Sequence, residues 1–237
     1  MTASAPGRTS SPRVGVVIPA AGLGARMGGM KKPWLMLLGE PLLLHTLRPF
    51  LAHPDVVAVR VALAPEDAVA PPEWLRTRDP RLACVAGGAT RTASVRAALG
   101  ALPEVDVVLV HDAARPLVTR AILDRCIAAV RGAPVGAVAG WPASDTLKRV
   151  DQDGRVVDTP DRRGVWHAQT PQAFPRALLD RAYAAWDGQD ATDDAALVER
   201  AGGTVVMVEG APTNLKVTRP EDVAVAEALL AMAAPAS

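Results

Sequence analysis

Aromatic residues are scarce, at 3% of 237 positions, which leaves no series of rings on which nucleic-acid bases could stack. Cysteine is nearly absent. Cys84 and Cys126 lie far apart, with no C-x-x-C pair and no histidine cluster beside them, so neither a disulfide framework nor a structural zinc site is indicated. Both read as small buried hydrophobes in a reduced compartment. Excess charge of one sign is missing too: 26 Lys and Arg face 25 Asp and Glu, a formal net of +1. That balance argues against a non-specific nucleic-acid binder while leaving room for a local basic pocket. No apolar run reaches the roughly 18 residues that a membrane helix needs. Residues 14–25, preceded by Arg8 and Arg13, imitate a signal peptide, but Pro19, Gly22 and Gly24 interrupt the run where a signal would be helical. The segment reads as a strand entering a loop in a cytoplasmic protein without membrane or nucleic-acid partners.

What is present is an ordinary globular composition, 49% hydrophobic and 22% charged, which excludes global disorder. A chain of this size buries roughly 70% of its unfolded surface and needs no staples. Residues 1–13, rich in Ser, Thr, Pro and Gly, read as a disordered tail, and 233–237 as a frayed end; 14–232 form a single domain. Within it, short β-branched runs alternate with amphipathic stretches. Strands are expected over 14–19, 56–63, 82–85, 105–110, 136–139 and 204–208, and helices over 41–52, 91–102, 120–131, 176–186, 191–201 and 220–231. Pro49 predicts a kink or early end in the first helix. Strands apolar throughout, separated by helices, predict an α/β fold: a Rossmann-like three-layer α/β/α arrangement around a mostly parallel sheet.

One segment breaks the alternation. Residues 146–150 and 155–159 flank Asp153-Gly154, a strong hairpin signal, and their polar, charged flanks suit an arm that projects from the sheet within 142–170. A projecting arm must pack on something, and a second copy of the chain is the economical partner. The five tryptophans, Trp34, Trp74, Trp141, Trp166 and Trp186, read as core or interface residues.

After the first strand comes Pro19-Ala-Ala-Gly-Leu-Gly-Ala-Arg-Met27, whose small residues let backbone N–H groups approach an anion. A loop at the carboxyl end of a first parallel strand commonly holds phosphate, although a plain flexible connector would look similar. It is not a dinucleotide fingerprint, because Met27 stands where a third Gly or Ala is needed and Pro33 and Gly39 interrupt the helix that should follow. Nor is it a P-loop, since Gly29 is followed by Met30. With Arg26, Lys31 and Lys32 along it, the loop suits a triphosphate wrapped by backbone and cations.

The loop together with Lys32-Pro-Trp-Leu35 resembles the signature of nucleotidyltransferases. Further blocks narrow the resemblance: Gly87-Gly-Ala-Thr-Arg91-Thr-Ala-Ser-Val95, His111-Asp-Ala-Ala-Arg-Pro116 and Asp145-Thr-Leu-Lys148, then Trp166-His-Ala-Gln-Thr-Pro-Gln-Ala-Phe174, Thr192-Asp-Asp194 and Asn214-Leu-Lys-Val-Thr218. In this order they are similar to the 2-C-methyl-D-erythritol 4-phosphate cytidylyltransferases. The resemblance implies transfer of CMP from CTP to the polyol phosphate, with Mg2+ held mainly by the CTP phosphates. A ribitol 5-phosphate enzyme would share most motifs, and a non-catalytic nucleotide-binding module is the alternative of another class. The resemblance makes Arg26 and Lys32 transition-state stabilisers and sets Lys216 at the α-phosphate. Pro19, Ala20, Ala21, Gly22, Gly24, Gly88, Ser94, Asp112 and Ala113 would contact the nucleotide, and Arg115, Thr146, Arg162 and Thr170 the acceptor. Ala89 stands where some relatives carry an acidic residue. Arg162 would reach into the partner subunit's site, making a homodimer with shared sites. His111 is expected to be structural, since a phosphate nucleophile needs no general base. The chain ends soon after the final helix, so no fused cyclase domain is expected.

Overall fold

β-branched runs with both faces apolar can only be satisfied between two helical layers, and the chain builds that arrangement. The computed structural model describes residues 11–22 and 31–233. Strand β1 (Val14–Pro19) is followed by a 3-10 turn at Lys32–Trp34, the two-residue ladder β2 (Met36–Leu37) and β3 (Glu40–Pro41), and helix α1 (Leu42–Leu51). Next come β4 (Val56–Leu63), the short helices α2 (Pro65–Val69) and α3 (Glu73–Arg76), β5 (Leu82–Ala86), α4 (Arg91–Gly100), β6 (Val107–Val110) and α5 (Arg120–Val130). The second half supplies β7 (Val135–Pro142), the hairpin β8 (Arg149–Val150) and β9 (Val156–Asp158), and β10 (Trp166–Pro175). Helices α6 (Arg176–Ala184) and α7 (Asp194–Arg200), β11 (Thr204–Glu209) and α8 (Glu221–Ala233) complete it.

The main sheet has the order β11-β7-β10-β6-β1-β4-β5. All its pairings are parallel except those of β10, which runs antiparallel between β6 and β7. Alternation along β1 divides the core: Val14, Val16 and Ile18 join Leu43, Leu47 and Phe50 of α1 and Ile122 and Leu123 of α5. Val17 turns to the opposite layer, with Val95 and Leu99 of α4, Leu178 and Leu179 of α6 and Val198 of α7. Fully buried Leu, Ile and Phe side chains of this kind contribute about 1.5–3 kcal/mol each. β4 repeats the division, with Val59, Val61 and Leu63 on one face and the small Ala58 and Ala62 against α4. Helix α8 closes a third cluster formed by Leu37, Leu42, Leu117, Val217 and Ala226.

The expected strands and long helices are present, with ends displaced by a few residues. Helix α1 stops at Leu51, just past Pro49. Elements not anticipated are the 3-10 turn, the β2–β3 ladder, α2, α3 and β10, the last being the antiparallel member of the sheet. The anticipated hairpin forms, with Asp151 N–H donating to the Arg155 carbonyl at 3.0 Å and Gly154 at φ +78°. Asp153-Gly154 thus closes a three-residue loop whose glycine takes the left-handed position. Both arm strands are exposed on every residue. Residues 1–10 of the expected tail and 234–237 lie outside the described residues. Arg13, at the tail's end, is tied to the sheet edge, its N–H donating to Asp106 Oδ2 at 2.7 Å. Cys126 is buried as expected, whereas Cys84, on edge strand β5, is half-buried; both are free thiols. Among the described residues no helix is long and apolar enough to cross a membrane.

The strand order changes direction at β1: β4 and β5 extend to one side, β6 and its neighbours to the other. Ligands in open α/β sheets collect at the carboxyl ends of strands at such a switch point. Residues 20–22 leave β1 there, and residues 111–115 leave β6 beside them.

Candidate active site

Two adjoining clefts open at this edge. The first, of about 370 Å³, is lined by Pro19, Ala20, Ala21 and Gly22 after β1, by Lys32 and Pro33, and by Gly88, Ala89, Thr90, Arg91 and Ser94 around the start of α4. Asp112, Ala113, Ala114 and Lys216 complete its wall. The second, of about 330 Å³, is lined by Arg115, Ala168, Gln169, Thr170, Gln172, Thr192 and Asp193. Arg91, Asp112 and Lys216 belong to both. Each cleft is large enough for part of a small-molecule ligand.

The first cleft is backbone-rich for a local reason. Gly88 packs so tightly on Ala93 that a Cβ would collide with it. The turn is held by Ser94, whose hydroxyl donates to the Thr90 carbonyl at 2.8 Å and accepts from Gly88 N–H at 3.1 Å. Thr90 caps α4 by accepting from Ala93 N–H at 3.1 Å. Lys32 Nζ donates to the Val217 carbonyl at 3.3 Å, drawing the 3-10 turn towards the Lys216 segment. Lys31 does not line the cleft; Glu66 and Asp67 of α2 bind it at 3.0 and 2.9 Å.

At the junction, Lys216 Nζ meets Asp112 Oδ2 at 2.6 Å, and Arg91 Nε donates to Asp112 Oδ1 at 3.2 Å. Burial alone would raise the Asp112 carboxyl, but the charges of Arg91 and Lys216 overcome it and hold the group well below the usual carboxylate range. The backbone N–H of Asp112 donates to Thr170 Oγ1 at 3.1 Å, and Thr170 Oγ1 lies 2.9 Å from His111 Nδ1. His111 Nε2 reaches the Arg115 carbonyl at 3.1 Å. This chain is satisfied when Nε2 carries the proton and Nδ1 accepts from the Thr170 hydroxyl. His111 is therefore neutral, and burial pushes it down to about 4. It is walled in against Phe50, with ring centroids 5.0 Å apart, and supports the loop instead of facing either cleft.

Arg115 is fixed in the second cleft by donation from Nη1 to the Asn214 carbonyl at 2.7 Å, and burial pulls its pKa downward. Its buried Nε has no partner among the described residues. Gln172, on β10, accepts from the N–H groups of Asp194 and Ala195 at 3.1 and 3.0 Å, so β10 anchors the start of α7.

Of the expected site residues, Pro19, Ala20, Ala21, Gly22, Lys32, Gly88, Ser94, Asp112, Ala113 and Lys216 come together in the first cleft, and Arg115 and Thr170 in the second. Thr146 and Arg162 are exposed on the arm and line neither; the Arg162 guanidinium donates to the Ser144 carbonyl. Gly24 and Arg26 lie outside the described residues. Arg91 and Gln172 line the clefts but were not singled out as site residues, although both fall inside motif blocks that the sequence displays. No group of three or more His, Cys, Asp or Glu that could cage a metal occurs among the described residues.

Comparison with known proteins identifies relatives over nearly the whole chain. Residues 14–232 match the family model described as IspD: 2-C-methyl-D-erythritol 4-phosphate cytidylyltransferase. A protein of that name from Xanthomonas campestris pv. campestris (strain B100) is 47% identical over 218 residues, covering 89% of this chain and 82% of its own. Another, from Stenotrophomonas maltophilia (strain R551-3), is 47% identical over 221 residues, covering 90% and 94%. The crystal structure of the Thermus thermophilus enzyme superposes with a TM-score of 0.75 at 38% identity, covering 92% of this chain and 98% of that one.

Proposed function

The chain belongs to the 2-C-methyl-D-erythritol 4-phosphate cytidylyltransferase family, and from that premise we propose how its residues divide the work. The reaction transfers CMP from CTP to 2-C-methyl-D-erythritol 4-phosphate, giving 4-diphosphocytidyl-2-C-methyl-D-erythritol and pyrophosphate in the non-mevalonate isoprenoid pathway. The observation that carries the division is the pair of clefts sharing Asp112, Arg91 and Lys216: one site for a nucleotide, one for an acceptor, and a charged seam between them.

Cytidine occupies the first cleft, its base read by backbone around Ala20, Ala21 and Gly88 and by the Ser94 hydroxyl. Carbonyl acceptors can distinguish an exocyclic amine from a carbonyl without an acidic side chain, which Ala89 does not supply. The acceptor occupies the second cleft, near Arg115 and Thr170. Its phosphate oxygen attacks the α-phosphorus, an O–P bond forms as the bond to the leaving pyrophosphate breaks, and negative charge gathers on five-coordinate phosphorus. Catalysis of this kind is mostly positioning and cationic stabilisation. Lys32 and Arg26 neutralise the α-phosphate and the departing pyrophosphate, and Lys216 orients the incoming phosphate. The cleft offers one carboxylate, Asp112, already shared between two cations, which fits an ion carried by phosphate oxygens and not by a protein cage. Mg2+ bound in that way would supply further charge neutralisation, with Asp112 the carboxylate nearest to hand.

Thr146 and Arg162 serve from the arm. In a homodimer each arm crosses to the partner's acceptor cleft, which accounts for exposed Val150, Val156 and Val157 on an otherwise charged hairpin. The free thiols accord with a reducing cytoplasm.

The assay is pyrophosphate release from CTP and methylerythritol phosphate with Mg2+, compared with ribitol 5-phosphate as acceptor and UTP as donor. Turnover confined to the first pair is expected. Equal or faster turnover of ribitol 5-phosphate would overturn the acceptor assignment, and no turnover of CTP with any polyol phosphate would overturn the reaction.

A further inference from the structure

Arg91 occupies a position that helix formation disfavours. It is the first residue of α4, where the N-terminal end of the helix dipole repels a cation. The capping is done by its neighbour Thr90, so Arg91 contributes nothing to starting the helix. Its guanidinium instead joins two carboxylates from distant parts of the chain: Nε to Asp112 Oδ1 at 3.2 Å, and Nη2 to Asp194 Oδ2 at 2.8 Å.

Asp194 suits the first turn of α7 by charge but not by its surroundings. It is completely buried at the start of α7, yet Asp193 already caps that helix by accepting from Ala196 N–H at 2.9 Å. The Asp194 carboxylate is thereby left to other partners. Tyr183 Oη donates to its Oδ1 at 2.6 Å, and burial beside this carboxylate pushes the phenol far above its usual range, keeping it a donor. Among the described residues Oδ2 has no hydrogen-bond partner, so the Arg91 charge is its counterpart. The next residue of α4 is fastened in the same way, Thr92 Oγ1 donating to Asp190 Oδ1 at 2.6 Å.

We infer that Arg91 is a positioning residue for the transfer reaction, anchored by the buried Asp194–Tyr183 pair and acting on Lys216 through Asp112. The inference rests on the reaction proposed above. With its charge shared between two carboxylates, Arg91 is a poor ligand for another phosphate. Its fork sets the rotation of Asp112, which then presents Oδ2 to Lys216. Lys216 is the more exposed member of the chain, so Asp112 is what restrains its ammonium group. A lysine at position 91 would keep the charge but has no rigid fork whose separate nitrogens reach both carboxylates.

Steady-state kinetics on Arg91→Lys and Asp194→Asn, each alongside wild type, test this. A fall in kcat of about tenfold or more in Arg91→Lys, and about fivefold in Asp194→Asn, is expected, with KM for CTP within about threefold of wild type. A structural defect that merely lowered the folded fraction would reduce apparent kcat in proportion to active protein. Activity is therefore referred to folded enzyme, quantified by CTP-binding stoichiometry. Wild-type kcat in either folded variant would overturn the inference. So would a CTP KM raised tenfold or more, which would make Arg91 a nucleotide ligand. Should either variant fail to fold, Tyr183→Phe, which removes one hydroxyl, carries the same test. There kcat about threefold lower at unchanged CTP KM is expected, and wild-type kcat overturns the inference. A wild-type enzyme that releases no pyrophosphate removes the reaction and this inference together. An active wild type matched by its variants removes this inference alone.

Discussion

Replacing Gly87 by alanine adds one carbon beside the first cleft, at a point where there is no room for it. The new Cβ would lie 2.6 Å from the Ala21 Cβ, 2.9 Å from Ser94 Oγ and 3.0 Å from the Leu63 carbonyl oxygen. Carbon atoms in ordinary contact sit about 3.5–4.0 Å apart, so the Ala21 contact is short by about 1 Å. An alanine methyl cannot rotate out of the way, and the Leu63 carbonyl is held in the sheet and accepts from Gly87 N–H at 2.7 Å. The displacement therefore falls on residues 20–22 or on the turn that carries Gly88, and residues 20–22 and Gly88 line the cleft. Overpacking of this kind costs about 1–3 kcal/mol, equivalent to a Tm lowered by about 5 °C in a chain of this length. A misplacement of about 1 Å in a reacting assembly can cost about 100-fold, so kcat/KM for CTP is expected to fall by about 10- to 100-fold. The control is Gly100→Ala at the end of α4, where nothing lies within 4 Å of the new Cβ. That variant should gain about 0.5–1 kcal/mol and keep wild-type kinetics. Thermal melts and pyrophosphate release decide the matter. A Gly87→Ala enzyme with kcat/KM within twofold of wild type and an unchanged Tm would refute the close approach, and with it the account of why glycine is needed there.

Three further outcomes follow from the site. Lys32→Ala should keep the fold, with Tm within a few degrees of wild type, and lose at least about 100-fold in kcat, as for removal of one transition-state donor; near-normal turnover would contradict its role. Arg162→Ala, changing an exposed side chain, should lose activity without loss of Tm, and mixing it with Lys32→Ala subunits should restore part of the activity by creating one intact shared site; no recovery after demonstrated subunit exchange would count against arms that cross. His111 should make stability depend on pH: its folded value of about 4 lies below the ordinary 6.5, so the unfolded chain binds more protons between those values and stability rises with pH across that window. The loss on acidification approaches about 3 kcal/mol by pH 4, while Asp112, held below its ordinary range, adds its own loss only at lower pH. Urea denaturation at pH 7, 5.5 and 4.5 checks this, and a slope unchanged in His111→Gln would exclude His111 as its source.

Strands β1, β4 and β6 could be read from sequence because, inside the sheet with helices on both faces, they appear as apolar runs rich in β-branched residues. The clefts at their carboxyl ends were legible for a related reason. Small residues after β1 and the Asp112 segment after β6 must lie beside each other once those strands pair in register. Thr146 and Arg162 are different. The role proposed for them depends on a second copy, and the hairpin signal at Asp153-Gly154 predicts only that an arm exists.

The hidden strand β10 shows where pattern reading fails and why. It runs through the centre of the sheet, yet its sequence carries Gln169, Thr170 and Gln172, all buried, together with Pro171 and Pro175. A central strand with that composition contradicts the apolar rule unless each polar group has a partner. Here each does: Gln169 donates to the Ala211 carbonyl at 2.7 Å, Thr170 bonds His111 and Asp112, and Gln172 holds the start of α7. The prolines fall where the ladder is already irregular or ends, since the β10–β7 register shifts between Ala168 and Gln172 and Pro175 is the last residue of the strand. The polar residues that conceal β10 as a strand are the ones that wall the second cleft and anchor α7, which carries Asp194 to Arg91. Local sequence–structure rules give way where a functional surface needs polar atoms inside the sheet, so the failure itself points to the site. The Arg91–Asp194 pair escaped for a complementary reason: two charged residues about a hundred positions apart, each at the first turn of its own helix, show no sign of each other until β10 brings α7 against α4.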